Sequence, residues 1–310
     1  MLSDAATETT ANTMTAAATT PARDDLRGVP MGPLAMQRVD LPGGHHLAYH
    51  RDGDTGTPVL LIMGYCVPGR AWRFQWPALA AAHQVALFDN RGTGGSGAPA
   101  GRWQMADLAN DAIALMDHLG WERAHVVGVS MGGMIAQHVG LRARDRVRSI
   151  SLVATQAGGI RAMLPGAAGL KRFAMANLGT RSERGRHLAS LLFPDAFIDE
   201  VGRPWLQRVL MDDFGDPIPA RSRRQQLAAI AGHRTAERLH ELAGLPCLIV
   251  RPGADLLIHP SQSDRLARLL PHADVLRLDN AGHGVIRQEA AALNAALLRH
   301  FAQSDELRSP

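Results

Sequence analysis

Gly128-Val129-Ser130-Met131-Gly132 decides the reading of this chain. An apolar run, His125–Val129, leads into it, and an amphipathic pattern over Met131–Leu141 follows. A strand therefore turns sharply into a helix at Ser130. The serine backbone is strained at such a bend, and its Oγ projects above the sheet. A side chain two positions away on either side would strike the neighbouring elements, so Gly128 and Gly132 are the residues the turn requires. The N-terminus of the following helix also turns backbone N–H groups and a positive dipole end towards developing negative charge. Ser130 is thus the candidate nucleophile. An ordinary glycine-bearing strand–helix turn is the plain alternative, and the two flanking elements favour the functional reading.

Other strands read outward from this turn. Gln37–Leu41 and His46–Arg51 are joined by Pro42-Gly43-Gly44. Short apolar runs follow at Val59–Met63, Val85–Phe88, Val147–Val153, Pro246–Val250 and Val275–Leu278. Runs of that kind suit strands covered on both faces. Helical patterns lie between them, at Met105–Leu119, Met131–Leu141, Ser261–Leu270 and Glu289–Phe301. The alternation predicts an α/β fold, a mainly parallel sheet with helices on both faces. Residues 34–155 and 243–305 form the expected core. Residues 156–242 break the rhythm with helical stretches such as Glu183–Leu192 and Arg221–Ile230, and read as a helical lid inserted between two strands. Residues 1–33, rich in Ala and Thr, read as a disordered tail. The tail lacks the basic and apolar regions of a secretory signal.

Composition narrows the function classes. The chain has 310 residues, 46% of them hydrophobic, with 31 Gly and 18 Pro. That is ordinary for a globular protein rich in turns. No apolar run approaches the roughly 20 residues needed to span a bilayer. The net charge is +4, carried almost entirely by arginine, since Lys171 is the single lysine. The arginines alternate with Asp and Glu, as a solvated surface does, so a nucleic-acid partner is not expected. Two cysteines, Cys66 and Cys247, make no disulfide framework and suit a reducing compartment, here expected to be the cytoplasm. No zinc-ligand spacing occurs. The sequence leaves the oligomeric state open.

Four blocks together carry a resemblance: Leu61–Tyr65, Phe88–Ser96, Gly128–Gly133 and Ala281–Gly284. With them the chain, from about Gln37 to Phe301, resembles the α/β-hydrolase family, and most closely its small-ester hydrolases and lipase-like members. The resemblance implies an eight-stranded-type sheet with a helical insertion. It also implies a catalytic order of serine, acid, histidine along the chain.

A serine hydroxyl needs a neighbouring base, and histidine titrates near neutrality. His283 stands out among 14 histidines because it lies between two glycines, after the last strand and before the last helix. A flexible loop there would bring the imidazole over Ser130. Asp255 follows the strand ending at Val250 through Pro252-Gly253-Ala254 and suits the acid. It would accept the other imidazole N–H and stabilise the imidazolium. Asp279 is the rival, although its place at a strand end suggests turn capping. The turn glycine before the acid is displaced, with Pro252 where relatives often have Gly. The resemblance assigns the oxyanion hole to the backbone N–H groups of Tyr65 and Met131. Met63 stands where many members have His, which leaves the support of that loop undefined. Asp89 reads as a structural partner of the glycine-rich turn that follows it, and Cys66 as a small buried residue.

The expected reaction is cleavage of a carboxylic ester, or a related acyl bond, of a small or lipid-like molecule through an acyl-enzyme on Ser130, with no cofactor and no metal. Lactonases, carbon–carbon bond hydrolases, perhydrolases and acyltransferases of the family share the same three residues. Epoxide hydrolases and haloalkane dehalogenases use Asp at the position of Ser130 and are disfavoured. A ligand-binding protein that kept the fold without catalysis is the alternative from outside enzymology. Met163, Leu164, Phe173, Met175, Leu191, Phe193, Phe197 and Trp205 are the large apolar residues from which an acyl pocket would be drawn.

Overall fold

A computed structural model describes residues 13–15, 26, 29, 34–159, 167–176, 180–214 and 217–307. Among these residues nine strands form one sheet: β1 (Thr13–Thr15), β2 (Gln37–Asp40), β3 (His46–Asp52), β4 (Pro58–Ile62), β5 (Gln84–Phe88), β6 (Ala124–Val129), β7 (Val147–Val153), β8 (Cys247–Pro252) and β9 (Asp274–Leu278). Their spatial order is β1-β9-β8-β7-β6-β4-β5-β3-β2. The pairs β2–β3 and β3–β5 are antiparallel, and all others are parallel. Eight of these strands are the expected sheet. The ninth, β1, comes from the stretch expected to be without structure, and pairs in parallel with β9. An edge strand offers a row of unpaired N–H and C=O groups, and three residues can take these up by backbone bonds alone. The rest of the tail, apart from residues 26 and 29, lies outside the described residues.

Strand β4 is buried on both faces, and every side chain from Val59 to Ile62 is apolar. On β4, Leu60 and Ile62 point to one core, which also holds Leu108, Leu115 and Ile135. Val59 and Leu61 point to the other, with Trp72, Leu297 and Phe301. Helices supplying these faces include α1 (Trp76–Ala80), α2 (Met105–His118), α3 (Met131–Arg142) and the last helix of the chain, which carries Leu297 and Phe301. Five more, α4 (Ala167–Ala176), α5 (Arg181–Leu192), α6 (Asp195–Val201), α7 (Arg203–Phe214) and α8 (Ala220–Gly232), lie between β7 and β8. The last three are α9 (Ser261–Leu269), α10 (Val285–Gln288) and α11 (Ala290–Glu306). The inserted helices have their own small core of Ala189, Leu192, Phe197, Ile198, Leu206 and Leu210. Among the described residues no helix is long and apolar enough to cross a membrane.

Candidate active site

Ser130 directly follows β6 with φ 56° and ψ −120°, a left-handed backbone that a non-glycine residue rarely adopts. The bend is held from both sides. Ser130 N donates to Val153 O at 2.9 Å, and Thr155 Oγ1 donates to Ser130 O at 2.7 Å. The glycines are obligatory for the reason the spacing suggested. A Cβ at Gly128 would lie 2.1 Å from Gly132 O, and one at Gly132 would lie 2.1 Å from Ile62 O. Gly133 is under the same constraint, because its Cβ would lie 2.6 Å from Thr155.

His283 Nδ1 lies 2.7 Å from Asp255 Oδ2. The carboxylate is fully buried, and its other oxygen accepts from Leu257 N at 2.8 Å and Ile258 N at 2.9 Å. Four lone-pair directions are thus largely taken, which fixes the carboxylate and with it the ring. Asp279, the sequence rival, is 76% exposed and faces Arg251 at 3.5 Å. The displaced turn glycine is explained by packing. A Cβ at Gly253 would meet Asp279 O at 2.3 Å, and Ala254 N donates to Ala281 O at 2.8 Å.

The two glycines beside His283 differ from expectation. They do not loosen the loop; they admit a neighbour. A Cβ at Gly282 would lie 2.4 Å from Leu192 O, and one at Gly284 would lie 2.3 Å from Phe193 Cε1. Gly284 N also donates to Leu192 O at 2.9 Å. The end of α5 is therefore pressed against the histidine loop and holds it.

Met131 directly follows the nucleophile, and Tyr65 lines the same cavity as Ser130. Met131 is the first residue of α3, and a helix-initial N–H has no partner within its own helix. Gly64, just before Tyr65, is close enough that a Cβ there would contact Ser130 Cβ at 3.3 Å. The loop is supported at Met63, whose carbonyl accepts from buried Asn90 Nδ2 at 2.8 Å. Next to Tyr65, Cys66 N donates to Gln226 Oε1 at 2.9 Å. The Gln226 amide in turn donates to Arg91 O at 3.0 Å and to Thr93 Oγ1 at 2.9 Å. Asp89 accepts from Gly69 N at 2.7 Å and Gly95 N at 2.8 Å, a structural role in the glycine-rich turn. Burial pushes the Cys66 thiol up to about 11, so it is protonated at neutral pH and a poor nucleophile.

A cavity of about 450 Å³ brings Tyr65, Ser130 and His283 together with inserted residues including Phe173, Leu191, Phe193 and Phe214. Asp255 sits behind His283, outside the cavity lining. Of the apolar residues expected to line an acyl pocket, Phe173, Leu191 and Phe193 do so. Phe197 and Trp205 pack within the insertion, and Met175 is exposed. Met163 and Leu164 lie outside the described residues. Asn90, Gln226 and a buried ion cluster were not singled out by sequence. In that cluster Asp213 lies 3.0 Å from Arg73 and is bonded to Arg287, which joins α7 to the segment after His283. Among the described residues no group of three or more His, Cys, Asp or Glu side chains is placed to hold a metal ion.

A strained serine after a parallel strand, with a carboxylate-held histidine opening on the same cavity, is the site arrangement of an α/β hydrolase. Residues 57–290 match the α/β hydrolase fold family, and the chain belongs to it. It is 31% identical over 265 residues to the dihydrolipoyllysine-residue acetyltransferase component of an acetoin cleaving system from Pseudomonas putida, covering 85% of this chain and 68% of that one. It is 26% identical to epoxide hydrolase A of Mycobacterium tuberculosis, covering 90% of this chain and all of the other. The enol-lactonase of Burkholderia xenovorans superposes with a TM-score of 0.72 at 22% identity, over 86% of this chain and 100% of that one, a likeness of fold alone.

Proposed function

We propose that this α/β hydrolase cleaves a carboxylic ester, or a related acyl bond, of a small molecule through an acyl-enzyme on Ser130. The observation that carries the reading is the 2.7 Å contact from Asp255 to His283, with His283 and Ser130 opening on one cavity. His283 takes the Ser130 proton as the oxygen attacks the acyl carbon. The N–H groups of Tyr65 and Met131 hold the tetrahedral oxyanion, and Asp255 stabilises the imidazolium. His283 then gives the proton to the departing alkoxide. A water molecule, deprotonated by the same imidazole, attacks the acyl-enzyme; the acid leaves as the imidazolium returns that proton to the departing Ser130 Oγ. Residues 156–242 act as a lid that excludes bulk water from the cavity. Cys66 and Cys247 are free thiols, as suits a reducing cytoplasm.

A serine at the elbow, in place of the aspartate that epoxide hydrolases of the family carry, argues against epoxide opening. An acyl-transfer reading is favoured by the Pseudomonas relative, whose name is that of an acetyltransferase component. It predicts that an added alcohol or thiol outcompetes water for the acyl-enzyme. The deciding experiment is fluorophosphonate labelling, with turnover of 4-nitrophenyl esters of graded chain length. Wild type should label and turn over, and Ser130→Ala should do neither. A wild type inert to the probe and to every ester would overturn the reading.

A further inference from the structure

The cavity walls are largely apolar, yet three arginines line it: Arg184 on α5, Arg223 on α8 and Arg287 on α10. They are not equivalent. Arg287 is buried and bonded to Asp213, the single carboxylate among the described lining residues. Asp213 is shared with Arg73 at 3.0 Å, so it has no charge to spare. Other arginines around the site are likewise engaged. Arg91 binds Asp111 through two bonds, and Arg70 donates to the Asp212 carbonyl. The guanidinium groups of Arg184 and Arg223, by contrast, have no hydrogen-bond or ion-pair partner among the described residues. Arg223 is half-buried and Arg184 exposed, which sets them at the cavity mouth. The Arg223 charge reaches Tyr65 and Cys66, where it favours ionisation against the larger, opposing effect of burial. Uncompensated positive charge therefore stands beside the Tyr65 side of the site. Guanidinium forks match carboxylates bidentately, and an apolar slot with a charged mouth suits a molecule that is itself apolar with one ionised end.

We propose that the substrate is an ester carrying an ionised carboxylate remote from the scissile bond, held by Arg223 and Arg184 while its apolar part lies along Leu188, Leu191 and Phe193. This rests on the acyl-enzyme reading above and names the substrate class for that site. The carboxylate takes no part in the bonds made or broken. It fixes the ester's register over Ser130.

The test compares charged and neutral esters of matched length. One arm uses mono-4-nitrophenyl esters of glutaric, adipic and suberic acid against 4-nitrophenyl alkanoates, placing the charge on the acyl side. The other uses 4-butyryloxybenzoate against phenyl butyrate, placing it on the leaving group. In at least one arm wild type should favour the charged ester in kcat/KM by about tenfold or more, the preference shrinking as salt is raised. Arg223→Gln and Arg184→Gln should each lower that preference ratio, chiefly through KM of the charged ester, and Arg223→Lys should restore part of it. If neutral esters turn over and Ser130 labels, but neither arm shows a preference that the glutamine variants diminish, the proposal is wrong and the acyl-enzyme reading stands. If nothing labels or turns over, both fall together.

Discussion

Gly284 and Phe193 are packed so tightly that a methyl group at position 284 would lie 2.3 Å from Phe193 Cε1. The ring cannot easily retreat, because it stacks on Phe197 at a centroid distance of 5.1 Å. Gly284→Ala should therefore displace the histidine loop. The expected cost is about 1–3 kcal/mol of stability from overpacking. A fall in kcat of about tenfold or more should accompany it, since a small misplacement of a catalytic group is expensive. Urea unfolding and ester kinetics on the purified variant measure both. An unperturbed kcat would show that the contact does not hold His283 in place.

Mutation should separate Asp255 from Asp279. Asp255→Asn keeps the shape but removes the acceptor that sets the imidazole tautomer, so kcat should fall by about 10⁴-fold. Asp279→Asn alters an exposed side chain 3.5 Å from Arg251 and should leave kcat within about twofold, as exposed pairs contribute little. Equal losses in the two variants would refute the assignment of the acid.

Asn90 bears on turnover without lining the cavity. Its amide is the support found for the Met63 carbonyl, and hence for the loop that carries Tyr65 N–H. Asn90→Ala should lower kcat by about tenfold or more while KM moves little, because the loop's N–H must be preorganised where charge develops. Steady-state kinetics over a full substrate range resolve the two constants. A change confined to KM would place Asn90 in ground-state binding.

Acid should weaken the fold through buried histidines. Burial lowers His125 to about 3, against a partly compensating Asp305, and lowers His233 and His300 to about 4. The unfolded chain takes up these protons near pH 6.5, whereas the folded chain resists until about pH 4. Stability is therefore full above pH 6.5, declines as pH falls towards 4, and is not regained below. Each histidine contributes a slope of up to about 1.4 kcal/mol per pH unit in that window. Urea midpoints at pH 7.5, 6 and 5 should decrease in step. A midpoint constant across that range would contradict the account.

The sheet was legible because strands buried on both faces must be apolar throughout, as Val59–Ile62 and Val126–Val129 are. The elbow was legible because clashes at Gly128 and Gly132 are local to the turn. Other features depend on distant partners and leave no local mark. Gln226 is one polar residue in an ordinary amphipathic helix until Cys66, 160 residues earlier, meets it. The Asp213 cluster likewise joins residues brought together only by the fold. Gly282 and Gly284 misled in a different way. A glycine placed for close approach and one placed for freedom are the same letter, and only the position of Leu192 and Phe193 tells them apart. The β1 strand was hidden because it uses backbone bonds, to which side-chain patterning is blind.

Gln226 joins three parts of the molecule through one carboxamide: the inserted helix α8, the turn holding Arg91 and Thr93, and Cys66 next to Tyr65, the proposed oxyanion donor. A swing of α8 away from the core would strip that amide from both of its anchors at once. Were α8 to swing in that way to admit a molecule, readiness to react on it would be lost in the same movement. An enzyme caught ajar would also be one whose anion cradle is slack, and so protected from idle chemistry until it shuts.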